Sequence, residues 1–245
     1  MSDRRTLSFI GFGAFARFAA PHLAPHFDVR AHDARGAGPR DGVPGVSLAE
    51  AARADVVVLA VPAQNLASVL EHAAPHTRPG ALVIDVCSVK MRPLELMTRH
   101  LPAGVRIVGT HPLFGPQSGK DGIAGLPIAL CRARADEATV ECVRSFLAGT
   151  LGLRVIETTP QEHDRQMAYV QGLTHFVSRA IAGMDLPATP MSTRAYARLL
   201  DMKRDLQDDS IDLFLTIERG NPFAAQARSE LLERLAELER KIVEG

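Results

Sequence analysis

The chain is predicted to be an α/β protein, with a Rossmann-type doubly wound sheet followed by a smaller all-helical dimerisation domain. Three observations predict this. Short apolar runs rich in Val, Ile and Leu recur through the first part of the chain, separated by helix-length stretches, which is the pattern of a buried parallel sheet. A glycine turn, Gly11-Phe12-Gly13, joins the first of these runs to the first helical stretch. After Thr159 the strand signal stops and only helical periodicity remains. The boundary is therefore placed between residues 1–158 and 159–245.

The elements follow in order. Thr6 to Ile10 reads as a buried strand, and Ala14 to Leu23 as the helix after the turn. Val29 to His32 is a short second strand. Val56 to Ala60, Leu82 to Val86 and Arg106 to Gly109 are apolar, β-branched runs of strand length. Pro127 to Leu130 and Arg154 to Glu157 are two more, with a helix from Asp136 to Leu151 between them. Thr159-Pro160-Gln161-Glu162 is a helix start. Thr159 caps, Pro160 suits the first turn and Glu162 completes a capping box. That helix is expected to run to about Gly183. A second helical region spans Arg194 to Ile217, with an internal break, and a third spans Pro222 to Val243. Leu231, Leu235, Leu238 and Ile242 form a stripe on the last one. So small a domain has too little chain to cover its own stripes, and a homodimer is the expected way to bury them.

Composition narrows the function classes. The chain has 245 residues, with 28 basic side chains balancing 28 acidic ones. No basic patch dominates, which argues against nucleic acid as a partner. Cys87, Cys131 and Cys142 are odd in number and lack CxxC spacing, so neither a disulfide framework nor a zinc site is expected. The first residues run straight into the first strand, and no apolar run is long enough to span a bilayer. A soluble cytoplasmic protein with no membrane partner is the expectation.

The glycine turn carries the first functional reading. In Gly11-Phe12-Gly13-Ala14-Phe15-Ala16 the glycines let the backbone approach a pyrophosphate, and the following helix N-terminus presents N–H groups and partial positive charge. Gly11, Phe12, Gly13, Ala14 and Phe15 are the expected cofactor-binding set. Asp33 lies 20 residues after Gly13, at the end of the second strand, where a carboxylate accepts hydrogen bonds from a ribose diol and repels a 2′-phosphate. NAD is expected over NADP, with Arg35 close enough to weaken the preference.

Ligands of open α/β sheets bind beyond the carboxyl ends of the strands. Val61, Pro62, Ser88 and Lys90 stand at such ends. Ser88 is also placed to cap the helix that begins near Lys90. His111 follows another strand, in a loop stiffened by Pro112 and Pro116. A histidine titrating near neutrality suits proton transfer, although a packed histidine is the plainer reading. Asp164, Gln171 and His175 share one helical face at spacings of seven and four. The Gln171/His175 pair lies in otherwise apolar surroundings, which favours a ligand cleft over a solvated side.

Taken together, these stretches resemble the prephenate/arogenate dehydrogenases. The resemblance rests on the glycine turn, Asp85 to Lys90, Thr110 to Lys120 (Thr-His-Pro-Leu-Phe-Gly-Pro-Gln-Ser-Gly-Lys), Glu162-His163-Asp164 and Gln171 to Phe176. The segment from Ala188 to Phe214 resembles the plant arogenate branch. The resemblance implies oxidative decarboxylation of a cyclohexadienyl acid. Hydride leaves C4 for a nicotinamide, CO2 leaves C1, and the ring becomes aromatic. Prephenate would give 4-hydroxyphenylpyruvate and arogenate would give tyrosine. It implies His111 as acceptor of the C4 hydroxyl proton, Ser88 as hydrogen-bond partner of that hydroxyl, and His175, Gln171 and Lys90 on the substrate. The nicotinamide would lie near Val61, Pro62 and Ser88, and no metal is required. A carboxylate clamp is sought near Lys203 and Arg204. Asp164 or Glu162 would favour the ammonium of arogenate, unless they are only helix-start acids. Two alternatives remain: another NAD(P)-linked dehydrogenase or imine reductase with a helical dimer domain, and a non-catalytic dinucleotide-binding regulator.

Overall fold

Val56 to Leu59 shows how the fold is assembled. Val57 and Leu59 pack on one face of the sheet and Val56 and Val58 on the other, because successive side chains of a strand alternate. A strand buried on both faces needs an unbroken apolar run, which is what made it readable. The computed structural model describes residues 4–36, 42–205 and 210–244. Its contacts divide it into two compact units, 1–163 and 164–245, so the division falls five residues later than expected and inside a helix.

The first unit is a seven-stranded sheet. In chain order its elements are β1 (Thr6–Ile10), α1 (Ala14–Leu23), β2 (Asp28–His32), α2 (Leu48–Ala52), β3 (Val56–Leu59), α3 (Leu66–Ala73), β4 (Leu82–Asp85), α4 (Met91–His100), β5 (Arg106–Pro112), β6 (Pro127–Arg134), α5 (Glu137–Ser145) and β7 (Arg154–Thr158). The spatial order is β2-β1-β3-β4-β5-β6-β7. Chain direction reverses once. β1 to β5 are mutually parallel, β5 and β6 are antiparallel, and β6 and β7 are parallel again. The sheet is thus parallel-dominated rather than wholly parallel. The connection from β5 to β6 is a loop with no crossover helix, so β6 returns beside β5 in the opposite direction.

Helices cover both faces. Ala51, Leu66, Leu70, Leu94 and Met97 pack over Ile10, Val57, Leu59, Val83 and Ile107. Ala16 and Ala20 of α1 pack over Phe9, Val29, Val56 and Val58 on the other face. α2 begins with a full capping box, in which Ser47 accepts from the Glu50 N–H and Glu50 bonds back to the Ser47 N–H. The first glycine turns as required: Gly11 has φ +90°, in the left-handed region.

The second unit is helical. It comprises the second half of α6 (Pro160–Met167), then α7 (Thr174–Ala182), α8 (Arg194–Asp205), α9 (Ile211–Gly220) and α10 (Ala224–Glu244). The Glu162 N–H donates to Thr159 Oγ1 at 3.1 Å, the expected cap. The single helix expected from Pro160 to Gly183 is interrupted by a π-helical stretch, Ala168–Leu173. Gly172 lies there, and a Cβ on it would sit 3.7 Å from Ala224 Cβ. This stretch widens the helix where the small pair Gly172 and Ala224 packs, a local widening often found at functional sites. The regular spacing that put Asp164, Gln171 and His175 on one face therefore does not hold through it. The region expected from Arg194 to Ile217 is two helices, and residues 206–209 lie outside the described ones. Among the described residues, no helix is long and apolar enough to cross a membrane.

Candidate active site

At the carboxyl end of β1 the chain makes the expected anion cradle. A Cβ on Gly11 would come within 2.6 Å of the Ala60 carbonyl oxygen and 2.7 Å of Val61 Cγ1, so only glycine fits between β1 and the end of β3. A Cβ on Gly13 would meet nothing within 4 Å. Gly13 is the N-cap of α1 and has no side-chain cap of its own, leaving the first turn of N–H groups for another acceptor. This open helix start fits a dinucleotide pyrophosphate. Ala14 is exposed at the same end, and exposed Pro62 opens the turn after β3.

Two members of the expected set act otherwise. Phe12 is buried in the core against Phe9, and its N–H donates to Asp33 Oδ2 at 2.9 Å. It holds the acid and presents neither side chain nor N–H to a cofactor. Phe15 packs at a tilt against Phe18 and lines an apolar cavity of about 390 Å³ with Phe27 and Phe146. Phe12 precedes α1 and packs into the core, while Phe15 lies on the face of α1 turned to the cavity. Asp33 is firmly held: Arg35 Nε donates to Oδ1 at 2.9 Å and Arg35 Nη2 to Oδ2 at 3.0 Å. The Arg35 hydrogen bonds drive the Asp33 carboxyl well below the usual carboxylate range, so it is an anion at every ordinary pH.

The ends of β4 and β5 are tied together by charge. Lys90 is fully buried, and its ammonium donates to Asp85 Oδ2 and, at 2.7 Å, to the Thr110 carbonyl. Thr110 Oγ1 donates to the Asp85 carbonyl at 2.7 Å, and the Cys87 N–H to Asp85 Oδ2 at 3.0 Å. Lys90 was expected on the substrate. Enclosed and committed in this way, it instead locks the residue before His111. Ser88 stays half-buried. It does not cap α4, whose N-cap is Lys90 with no side-chain cap bond. Its hydroxyl is therefore not spent on the role that competed with chemistry.

His111 occupies the penultimate position of β5, paired in register with Ala129 of β6, and is buried. Its Nδ1 lies 2.9 Å from Nε2 of His163, which is also buried. Burial above all, and then the neighbouring His163 ring and Lys90 ammonium, push the His111 pKa well below the ordinary histidine value. The imidazole is thus neutral and able to accept a proton at neutral pH. His163 was quoted in the sequence only as part of Glu162-His163-Asp164, with no role of its own. Its signal was its place four residues after a capping threonine, where its N–H closes the first turn of α6 on the Thr159 carbonyl.

In the helical unit, His175 is buried on α7, and Gln171 stands in the π-helical stretch with its Oε1 buried and without a hydrogen-bond partner among the described residues. A buried acceptor left in this state suits a ligand donor. Asp164 is completely buried, and its backbone carbonyl accepts from Asn221 Nδ2 at 2.7 Å. Lys203 is half-buried on α8, and the Arg204 side chain lies outside the described residues. Among the described residues, no group of three His, Cys, Asp or Glu side chains is placed to hold a metal ion.

The chain is similar to known proteins along most of its length. The family model described as "Prephenate dehydrogenase, nucleotide-binding domain" matches residues 27–157. One described as "TYRAAT1-like, C-terminal domain" matches residues 180–245. The chain is 32% identical to arogenate dehydrogenase 2, chloroplastic, of Arabidopsis thaliana, over 96% of this chain and 68% of that one. It is 30% identical to 4-amino-4-deoxyprephenate dehydrogenase of Streptomyces pristinaespiralis, over 87% of this chain and 76% of that one. Two further relatives are longer, and the chain spans 28% and 29% of their lengths. The fold matches the prephenate dehydrogenase of A. aeolicus solved with hydroxyphenyl propionate and NAD+, with a TM-score of 0.72, 19% identity and coverage of 100% of this chain and 93% of that one.

Proposed function

The chain belongs to the prephenate dehydrogenase family of oxidoreductases, and we propose that it carries out the NAD(P)-dependent oxidative decarboxylation of arogenate, prephenate or both. The observation that carries this reading is His111, a buried neutral imidazole at the carboxyl end of β5 whose neighbouring peptide is locked by Lys90 and Asp85. When bound, the nicotinamide supplies the hydride acceptor. Gly11 and Gly13 give the pyrophosphate its close approach, and Asp33 accepts from the ribose. As the C4 hydroxyl becomes a carbonyl, His111 takes its proton. Ser88 hydrogen-bonds the same hydroxyl and orients it. His175 and Gln171 of the helical unit bind the substrate's polar groups. Decarboxylation then proceeds without a metal, because the developing charge is relieved by aromatisation of the ring.

Three finer points belong to the proposal. NAD is preferred to NADP, since Asp33 is held as an anion where a 2′-phosphate would come. Arogenate is favoured over prephenate, supported by the plant arogenate-like segment of α8 and α9 and by the Arabidopsis relative. The protein is a homodimer through the helical unit, where Leu235, Leu238 and Ile242 lie exposed along α10.

The test of the central role is His111→Asn. Turnover of the cyclohexadienyl acid is expected to fall by about 10²–10⁴-fold, the contribution of a positioned general base, with NAD affinity unchanged by calorimetry. Retained turnover would favour a different dehydrogenase chemistry on the same fold.

A further inference from the structure

We propose that His163 is a positioning residue for this reaction. Its Nε2 accepts the Nδ1–H of His111 and so holds His111 in the tautomer whose Nε2 lone pair is open to take the substrate proton. The inference rests on the reading of His111 as the base.

The geometry leaves little else to set that tautomer. The nitrogens are 2.9 Å apart, and the rings are inclined at 63° with centroids 5.1 Å apart, so the contact is an edge-on N–H···N bond rather than a stack. One proton occupies that bond when both rings are neutral. If His163 donated it, the His111 proton would move to Nε2 and the base would be lost. Both rings are buried, so bulk water does not exchange the two arrangements freely. The His111 backbone is already fixed by its pairing with Ala129 and by the hold of Lys90 on the Thr110 carbonyl. What remains adjustable is the ring, and His163 is what its Nδ1 meets. When His111 takes the substrate proton at Nε2, the same bond lets His163 share the new charge, with no proton leaving the pair. His163 touches neither substrate nor cofactor in this scheme and acts only through His111.

The experiment uses the full chain with ¹⁵N-labelled histidine. Long-range ¹H–¹⁵N correlation reads the tautomer, with His111→Asn and His163→Gln assigning the signals. Wild type is expected to show His111 protonated at Nδ1 and bare at Nε2. In His163→Leu that preference is expected to be lost, with kcat lowered on the order of 10²-fold and KM within about threefold of wild type. His163→Gln, whose amide oxygen reaches the position of the ring Nε2, is expected to restore the Nδ1–H form and most of kcat. A wild-type His111 protonated at Nε2 would overturn the proposal. So would a His163→Leu protein that folds normally and keeps kcat within about twofold, or a Gln variant no better than Leu. If wild type turned over neither substrate, the reaction reading would fail, and the tautomer measurement would still decide whether His163 orients His111.

Discussion

The two units of this chain solve the problem of burial differently. The sheet unit hides its large apolar side chains within itself: Phe9, Ile10, Leu59, Leu70, Met97 and Ile107 are all fully enclosed. Along α10 of the helical unit, the buried residues are Ala224 and Ala227, while Leu232, Leu235 and Leu238 are each more than half exposed. The sheet unit can also place a charge in its interior, because strand ends hold Asp85, Lys90 and the Thr110 carbonyl in fixed register. Both units leave buried acceptors without a hydrogen-bond partner among the described residues, Asp85 Oδ1 in the first and Gln171 Oε1 in the second. The first unit covers its large apolar side chains with its own chain. The second leaves an apolar stripe exposed along α10.

The contrast can be broken most forcefully at Lys90. Lys90→Met leaves Asp85 buried with no counter-charge, and removing one partner of a buried pair costs about 3–5 kcal/mol. Urea unfolding followed by circular dichroism should show a loss of that size, with turnover falling as the His111 peptide loosens. A loss under about 1 kcal/mol would mean that the sheet unit does not depend on this lock.

The helical half of the contrast is tested by charge. Leu235→Glu with Leu238→Glu places two carboxylates on the exposed stripe. If a second copy covers it, the dimer dissociation constant should rise by well over tenfold, since each fully buried Leu is worth about 1.5–3 kcal/mol. Sedimentation at micromolar concentration would show monomer. An unchanged sedimentation profile would show that the stripe is not the interface.

Smaller in size is the cofactor preference. Asp33→Ser removes the anion at the ribose and leaves Arg35 without its ion pair. The ratio of kcat/KM for NAD over NADP should fall by about tenfold or more, roughly 1.4 kcal/mol. A wild type that already prefers NADP would contradict the role given to Asp33.

The smallest effect concerns pH. Burial lowers the His111 pKa, so between the ordinary histidine value of 6.5 and its folded value the unfolded chain binds more protons than the native one. Stability from this group is therefore complete above that range and declines as pH falls through it. For the same reason, the acidic limb of kcat/KM should lie below 6.5. A limb at or above the ordinary histidine value would show that His111 is not the titrating base.

Much of this was legible in the sequence, and the exceptions have physical causes. Runs such as Val56 to Leu59 are strands in any context that buries both faces, and Gly11 announces a backbone conformation and a close approach that other residues do not allow. Strand direction is different. Pro127 to Arg134 has the same character as a parallel strand, and only the lack of a crossover helix turns it antiparallel to β5. Lys90 read as a ligand for substrate because a lysine at a strand end is normally exposed. Its burial depends on Asp85, five residues earlier, and on a carbonyl 20 residues later. The π-helical stretch at Ala168–Leu173 depends on α10 approaching Gly172, a contact that local periodicity does not encode. His163 escaped a role for the same reason, since its partner His111 lies 52 residues away.

The most direct measurement is NAD reduction followed by absorbance, with arogenate and prephenate offered separately to the wild-type protein. The account predicts turnover of at least one, with arogenate the better substrate. Prephenate alone would overturn the arogenate preference and send the search for a carboxylate clamp back to Lys203 and Arg204. No turnover with either would contradict the central claim and leave a dinucleotide-binding fold whose buried His111 serves another purpose.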